Sequence, residues 1–136
     1  MSSGYLFDSH ALLTFFQDET GAEAVARILR KAMKTETDRF ICLINLGEIL
    51  YMTKRRFGDA KKMEVLTRVH QLGIKILSVP DSLVYEAAEF KAQYALSYAD
   101  CFALACVRNL SASLVTGDPE FKTVAHLAKI IWIKNA

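Results

Sequence analysis

Two prolines, one tryptophan and three cysteines are all that the 136 residues contain of those types. Cys42, Cys101 and Cys106 form no Cys-x-x-Cys pair and sit inside apolar runs, which excludes a disulfide framework and a cysteine-based zinc site. The histidines, His10, His70 and His126, have no metal-ligand spacing among themselves and read as boundary or surface residues. No stretch longer than nine residues lacks Asp, Glu, Lys and Arg. A membrane-spanning helix needs ~20 apolar residues, so no membrane partner is expected. The first Lys or Arg is Arg27, so the basic start of a secretory leader is missing, and a cytoplasmic location is expected.

What is present suits a folded domain. Hydrophobic residues make up 52% and charged residues 24%, which excludes a disordered chain. One domain over residues 1–136 is expected, since the chain is long enough for a single core. The net charge is only +2, but it is unevenly spread. Residues 1–26 carry −4, residues 27–68 carry +6 and residues 69–136 are balanced. The middle third therefore offers a basic surface to a polyanion, although solvated helix faces explain any single base equally well.

Short apolar runs alternate with amphipathic stretches. Residues 4–7, 40–43, 74–79, 113–116 and 130–133 are strand-like in length and content. Between them, Val25, Ile28, Leu29, Ala32 and Met33 have helical spacing, as do Leu46, Ile49, Leu50, Thr53 and Phe57. Met63, Leu66 and His70 continue the pattern and run into Gly73 as a helix stop. Another helix begins at Val84, and Ala99 to Leu110 is apolar almost all round. Apolar strands alternating with helices predict a mostly parallel sheet covered on both faces. Right-handed crossovers then bring every strand's carboxyl end to one edge, where such folds bind ligands.

Four acids from separate segments arrive at that edge. Asp8 ends the first strand, Glu48 follows the second, Asp100 opens the apolar helix and Asp118 follows the fourth strand. Each also has a plainer role at a helix start. Asn45 with Glu48, and Ser97 with Asp100, have capping-box spacing, while Asp118 before Pro119 reads as an N-cap. Asp8 would cap the helix behind it. Together, however, converging carboxylates repel one another unless a cation neutralises them. An oxygen-only set suits Mg²⁺ or Mn²⁺. Asp81, after the third strand, reads as an N-cap standing away from the crevice.

In order, Leu6-Phe7-Asp8-Ser9-His10, Asn45-Leu46-Gly47-Glu48, Ser97-Tyr98-Ala99-Asp100-Cys101 and Thr116-Gly117-Asp118-Pro119-Glu120-Phe121 resemble the PIN-domain family. Within it, the chain looks most like VapC-type toxins of toxin–antitoxin pairs. The resemblance implies a three-layer α/β/α fold with a five-stranded, mostly parallel sheet in the order 3-2-1-4-5. It implies that Asp8, Glu48, Asp100 and Asp118 are catalytic and hold the metal, with Ser9, Asn45 and Thr116 as auxiliary polar residues. The implied activity is a Mg²⁺- or Mn²⁺-dependent endoribonuclease, silenced by a cognate antitoxin and acting as a homodimer. A phosphodiester is anionic, so divalent ions would invert the sign of the cluster and activate the water that attacks phosphorus.

Lys54, Arg55 and Arg56 lie on the helix that carries Glu48. At 100° per residue, Arg55 shares the Glu48 face, so these three are candidate RNA-backbone contacts. Apolar residues around Leu12, Leu13, Phe15 and Phe16 are candidates for the homodimer face. A non-catalytic RNA- or protein-binding module of the same fold is the alternative. Phosphotransfer domains also place acids at strand ends, but Asp8-Ser9-His10 lacks their adjacent acids or Asp-x-Asp.

Overall fold

In the computed structural model, which describes residues 4–134, five short strands form one sheet. They are β1 (Tyr5–Phe7), β2 (Arg39–Cys42), β3 (Ile74–Leu77), β4 (Ser113–Thr116) and β5 (Lys129–Trp132). The order is β3-β2-β1-β4-β5, and every pairing is parallel. The expected fold class is what the chain adopts. Six helices connect the strands: α1 (Ser9–Phe16), α2 (Ala22–Thr35), α3 (Leu43–Phe57), α4 (Asp59–Gln71), α5 (Asp81–Gln93) and α6 (Tyr98–Leu110). A 3₁₀ turn, Pro119–Val124, links β4 to β5.

Strand side chains alternate between two cores, as the period of two requires. Leu6, Phe40, Cys42 and Leu114 face α5 and α6, together with Phe121 and Val124 of the 3₁₀ turn. Phe7, Ile41 and Val115 face the opposite way, onto Ala11 and Leu12 of α1, Val25 and Leu29 of α2, Leu46 and Ile49 of α3, and Val65 and Val69 of α4. Residues 101–107 of α6 are all buried, which explains why that helix is apolar all round. The strand order reverses at β1, leaving β1 and β4 side by side in the middle of the sheet. Phe7 pairs with Val115, so Asp8 emerges beside Thr116 at the carboxyl edge.

Several local expectations need correction. α3 starts at Leu43, directly from the strand, with Cys42 as its N-cap. Asn45 and Glu48 therefore form no capping box, and Glu48 lies in the second turn. Asn45 is free to be helical because its amide is taken up by tertiary hydrogen bonds. Asp81 is the first helical residue of α5, three residues before the expected start, and makes no capping hydrogen bond; Pro80 holds the cap position. There the acid still complements the helix dipole. On α4 the buried stripe is Val65 and Val69, while Met63 and His70 are exposed. Met63 is two residues from Val65, about 200° round the helix, so both cannot face the sheet. Around α1, Leu12 is fully buried, while Leu13, Phe15 and Phe16 are half-buried, packed against the core on one side and open on the other.

Gly4 enters β1 at φ +82°, and a Cβ there would lie 2.6 Å from the backbone oxygen of Asp38. Neither the left-handed backbone nor the contact with main chain tolerates a side chain. Gly4→Ala should therefore destabilise the protein by at least about 1–2 kcal/mol in urea denaturation. A variant as stable as the parent would show that the start of β1 can re-form.

Candidate active site

At the carboxyl edge, hydrogen bonds join residues that lie far apart in sequence. Asp8 is 1% exposed. Its Oδ1 accepts from the Ala11 N–H at 2.8 Å, the N-cap bond of α1, and its Oδ2 accepts from the Thr116 hydroxyl at 2.5 Å. The same hydroxyl oxygen accepts the Asp118 N–H at 3.0 Å. Thr116, fully buried, thus ties the acid after β1 to the acid after β4.

On the other side, the buried Asn45 amide donates to Ser9 Oγ at 3.3 Å and to the Ala99 carbonyl at 3.2 Å. The Ser9 hydroxyl donates to Glu48 Oε1. This chain of contacts holds α1, α3 and α6 together and sets the direction of Glu48. Asn45 Oδ1 is buried with no hydrogen-bond partner.

Asp100 is held through its backbone, whose N–H donates to Ser97 Oγ at 3.1 Å. Asp118 Oδ1 accepts the Glu120 N–H at 2.9 Å, which is the cap bond of the 3₁₀ turn. The Glu120 side chain accepts from the Ser97 N–H at 3.4 Å, taking the place that Asp100 would fill in a full capping box. Asp100, Asp118 and Glu120 each offer an oxygen within 4.8 Å of the others.

Burial pushes the Asp8 carboxyl up to about 7, against the two hydrogen bonds it accepts, and the charges of Asp118 and Glu48 push the same way. Asp100 rises to about 8 through burial and the negative charges of Asp118 and Asp8. No cation is among the causes acting on either group. His10, beside them, is lowered chiefly by burial, while Asp118 pulls it upward.

Asp8 thus feels the charges of Asp118 and Glu48, and Asp100 those of Asp118 and Asp8. Of the four predicted acids, only Asp100 and Asp118 lie, with Glu120, in a group whose oxygens are close enough together to share an ion among the described residues. Thr116 holds Asp8 and Asp118, Ser9 with Asn45 behind it holds Glu48, and Ser97 holds Asp100. Glu120 was not among the expected site residues. The acid two positions after Asp118 was visible in the sequence, but only the 3₁₀ turn folds it back toward Asp100. The three candidate RNA contacts differ from one another. Lys54 pairs with Asp59 at 3.1 Å, and Arg56 donates to Gln17 at 3.0 Å. Arg55 lies over the Tyr51 ring and makes no ion pair among the described residues. All three are exposed.

This donor set suits a hard divalent cation. It is made of oxygens, burial and neighbouring carboxylates raise two of its carboxyls, and a buried amide oxygen beside it has no partner.

Fold and site together define a parallel α/β domain with an acidic crevice where its strand order reverses. The PIN domain family model matches residues 5–127, and the chain belongs to that family. No curated protein matches it in sequence. Among solved structures it is similar to the Mycobacterium tuberculosis toxin VapC20, which cleaves the sarcin–ricin loop. The TM-score is 0.73 at 13% identity, over 89% of this chain and 95% of that one. It is also similar to VapBC2 of Rickettsia felis bound to a fragment of promoter DNA, with TM-score 0.76, 14% identity and coverages of 93% and 96%. A toxin–antitoxin complex from Klebsiella pneumoniae gives TM-score 0.70 at 18% identity, over 98% of this chain and all of that one.

The raised carboxyls carry a signed consequence for stability. Each binds its proton more tightly folded than unfolded, where the ordinary value is 3.8. Their contribution is complete below about pH 4 and is lost as pH rises through 7 to 8. In EDTA the protein should melt at a lower temperature at pH 8.5 than at pH 6, and Asp8→Asn should flatten that slope. Parallel melting curves for parent and variant across this range would contradict the assignment.

Proposed function

We propose that the chain is a Mg²⁺- or Mn²⁺-dependent endoribonuclease of the VapC toxin type. The observation that carries this reading is the convergence of Asp8, Glu48, Asp100 and Asp118 on one crevice in which burial and mutual repulsion leave two carboxyls near neutral pH. These four acids, with Glu120 at the rim, are assigned to hold the ion.

When bound, a divalent cation supplies positive charge for a phosphate oxygen and lowers the pKa of a water molecule. The protein's own part is orientation and charge. Thr116 fixes Asp8 through its hydroxyl and Asp118 through that residue's backbone, so the two carboxylates keep their separation. Ser9 and Asn45 do the same for Glu48 from the opposite wall. The carboxylates are also the available acceptors for the proton of the attacking water. Arg55, exposed on the helix of Glu48, would meet the RNA backbone, as would Lys54 once released from Asp59. Arg56, held by Gln17 and Glu19, would contact the RNA without serving as a free phosphate cation.

A cognate antitoxin is the partner suggested by two of the structural relatives named above, the Klebsiella pneumoniae complex and VapBC2, which are toxin–antitoxin or VapBC assemblies. A homodimer would draw on the half-buried Leu13, Phe15 and Phe16 of α1, or on the exposed Leu43, Ile44 and Tyr51 of α3 and Tyr98 of α6. No helix among the described residues is long and apolar enough to cross a membrane.

With Mn²⁺ the protein should cut RNA to 5′-phosphate and 3′-hydroxyl ends. Asp8→Asn should reduce the rate by about a hundredfold or more, and Thr116→Ala by about ten- to a hundredfold, because it loosens the groups behind the ligands. Asp81→Asn should cleave like the parent. Equal cleavage by the parent and Asp8→Asn would favour the non-catalytic reading. Mg²⁺ or Mn²⁺ should also raise the melting temperature of the parent more than that of Asp8→Asn, since the ion binds only the folded crevice. A melt that does not respond to either ion would remove the metal from the assignment.

A further inference from the structure

Beside the acidic crevice, a cleft of about 320 Å³ runs between α1 and α3, lined by His10, Leu13 and Gln17 on one side and Met52 and Arg56 on the other. The His10 ring is pinned at one end. It lies against Gly117, where an added Cβ would come within 2.7 Å of Cε1 and 3.1 Å of Nδ1. Gly117 is the residue between Thr116 and Asp118, so the ring rests on the main chain that carries the crevice. Its Nδ1 is buried and has no hydrogen-bond partner, so on this side the ring is held by packing against Gly117.

Opposite, Met52 is 42% exposed and stands one helical turn beyond Glu48. One turn farther along α3, Arg56 donates to Gln17, the C-cap residue of α1, at 3.0 Å and lies 3.9 Å from Glu19. A group in this cleft is therefore held next to the acids without touching them.

We propose that this cleft is a nucleobase subsite, which takes the base of a nucleotide adjoining the scissile phosphate and sets the base preference at that position. It rests on the nuclease reading above and extends it to substrate selection. The chemistry of the lining favours a base over a phosphate. Arg56 is already balanced by Glu19, so the cleft lacks the unmatched cation that a phosphate needs. It offers instead a fixed imidazole plane and a polarisable thioether, both good partners for an aromatic ring. The Gln17 amide and the Arg56 guanidinium supply donors and an acceptor for a base edge. RNA is favoured over a protein side chain because Met52 stands one helical turn after Glu48 and three residues before the exposed Arg55 on α3, so an occupant of the cleft has an acid of the crevice and a basic side chain on the same helix.

Two measurements on the full chain test this. In EDTA, with methyl-labelled methionine, single-stranded RNA hexamers of each base composition are titrated while the Met52 methyl resonance is followed; Met33 and Met63, exposed elsewhere, serve as controls. The expected result is a shift at Met52 alone, larger for one base than for the others. In Mn²⁺, cut positions are mapped across a mixed-sequence RNA. His10→Ala and Met52→Ala should raise KM about tenfold for the preferred sequence and erase the preference at one flanking position, with kcat changed much less. His10→Phe, which keeps a flat ring, should restore the preference.

A parent and variants that share one cleavage pattern and KM would overturn the subsite while leaving the nuclease intact. A parent that never cuts RNA, yet shows the base-dependent Met52 shift, would overturn the nuclease reading and keep the cleft as a base-binding site. A Met52 methyl that no hexamer moves would overturn the subsite and leave the cleft to a protein partner.

Discussion

Like charges crowded at the carboxyl edge of a parallel sheet are the constraint on which the rest depends. β1 and β4 are neighbours, and their register brings Asp8 next to Thr116. The acids that follow the two strands then have no way to avoid each other. Burial removes the water that would screen them, so the crevice is electrostatically unfinished without a cation. The hydrogen bond from Thr116 stabilises the Asp8 carboxylate, but burial outweighs it. The bonds from Thr116, Ser9 and Asn45 fix the carboxylates in the positions where the repulsion is felt.

Capping explains part of this arrangement but not its energetics. Asp8, Ser97 and Asp118 each accept a cap bond, as their sequence contexts imply. A good N-cap is worth about 1 kcal/mol. Raising a buried carboxyl from 3.8 to about 7 corresponds to roughly 4 kcal/mol against its ionised form. Asn or Ser would cap α1 without that penalty. The larger cost belongs to the charge, so capping α1 does not by itself account for an ionisable group at that position. Local and tertiary roles coincide because a helix N-terminus and the crevice occupy the same end of the sheet.

The family relationship fits the same physics. Solved relatives share 13–18% identity with this chain while keeping the fold. Apolar positions of a sheet core are interchangeable so long as pattern and volume are kept.

Much was legible in the chain before folding was considered. Apolar runs at 113–116 and 130–133 match β4 and β5 to within a residue, because buried strands need little more than β-compatible apolar side chains. The four acids were legible because alternating strands and helices force them to one edge. Other features were hidden. The start of α3 moved because the Asn45 amide found partners on α1 and α6, and the buried face of α4 was chosen by what it packs against. Glu120 joined the acids only through the fold of a 3₁₀ turn, and His10 acquired a neighbour in Gly117, more than 100 positions away.

By itself, then, the sequence determined the periodicities, the strand-ending acids and hence the class of fold, since these depend on residue type and spacing along one chain. The tertiary structure alone decided how close the carboxylates stand, which hydroxyls and amides hold them and what cleft opens beside them. Those are distances between segments, and electrostatic and hydrogen-bond energies depend on distance and burial rather than on order in the chain.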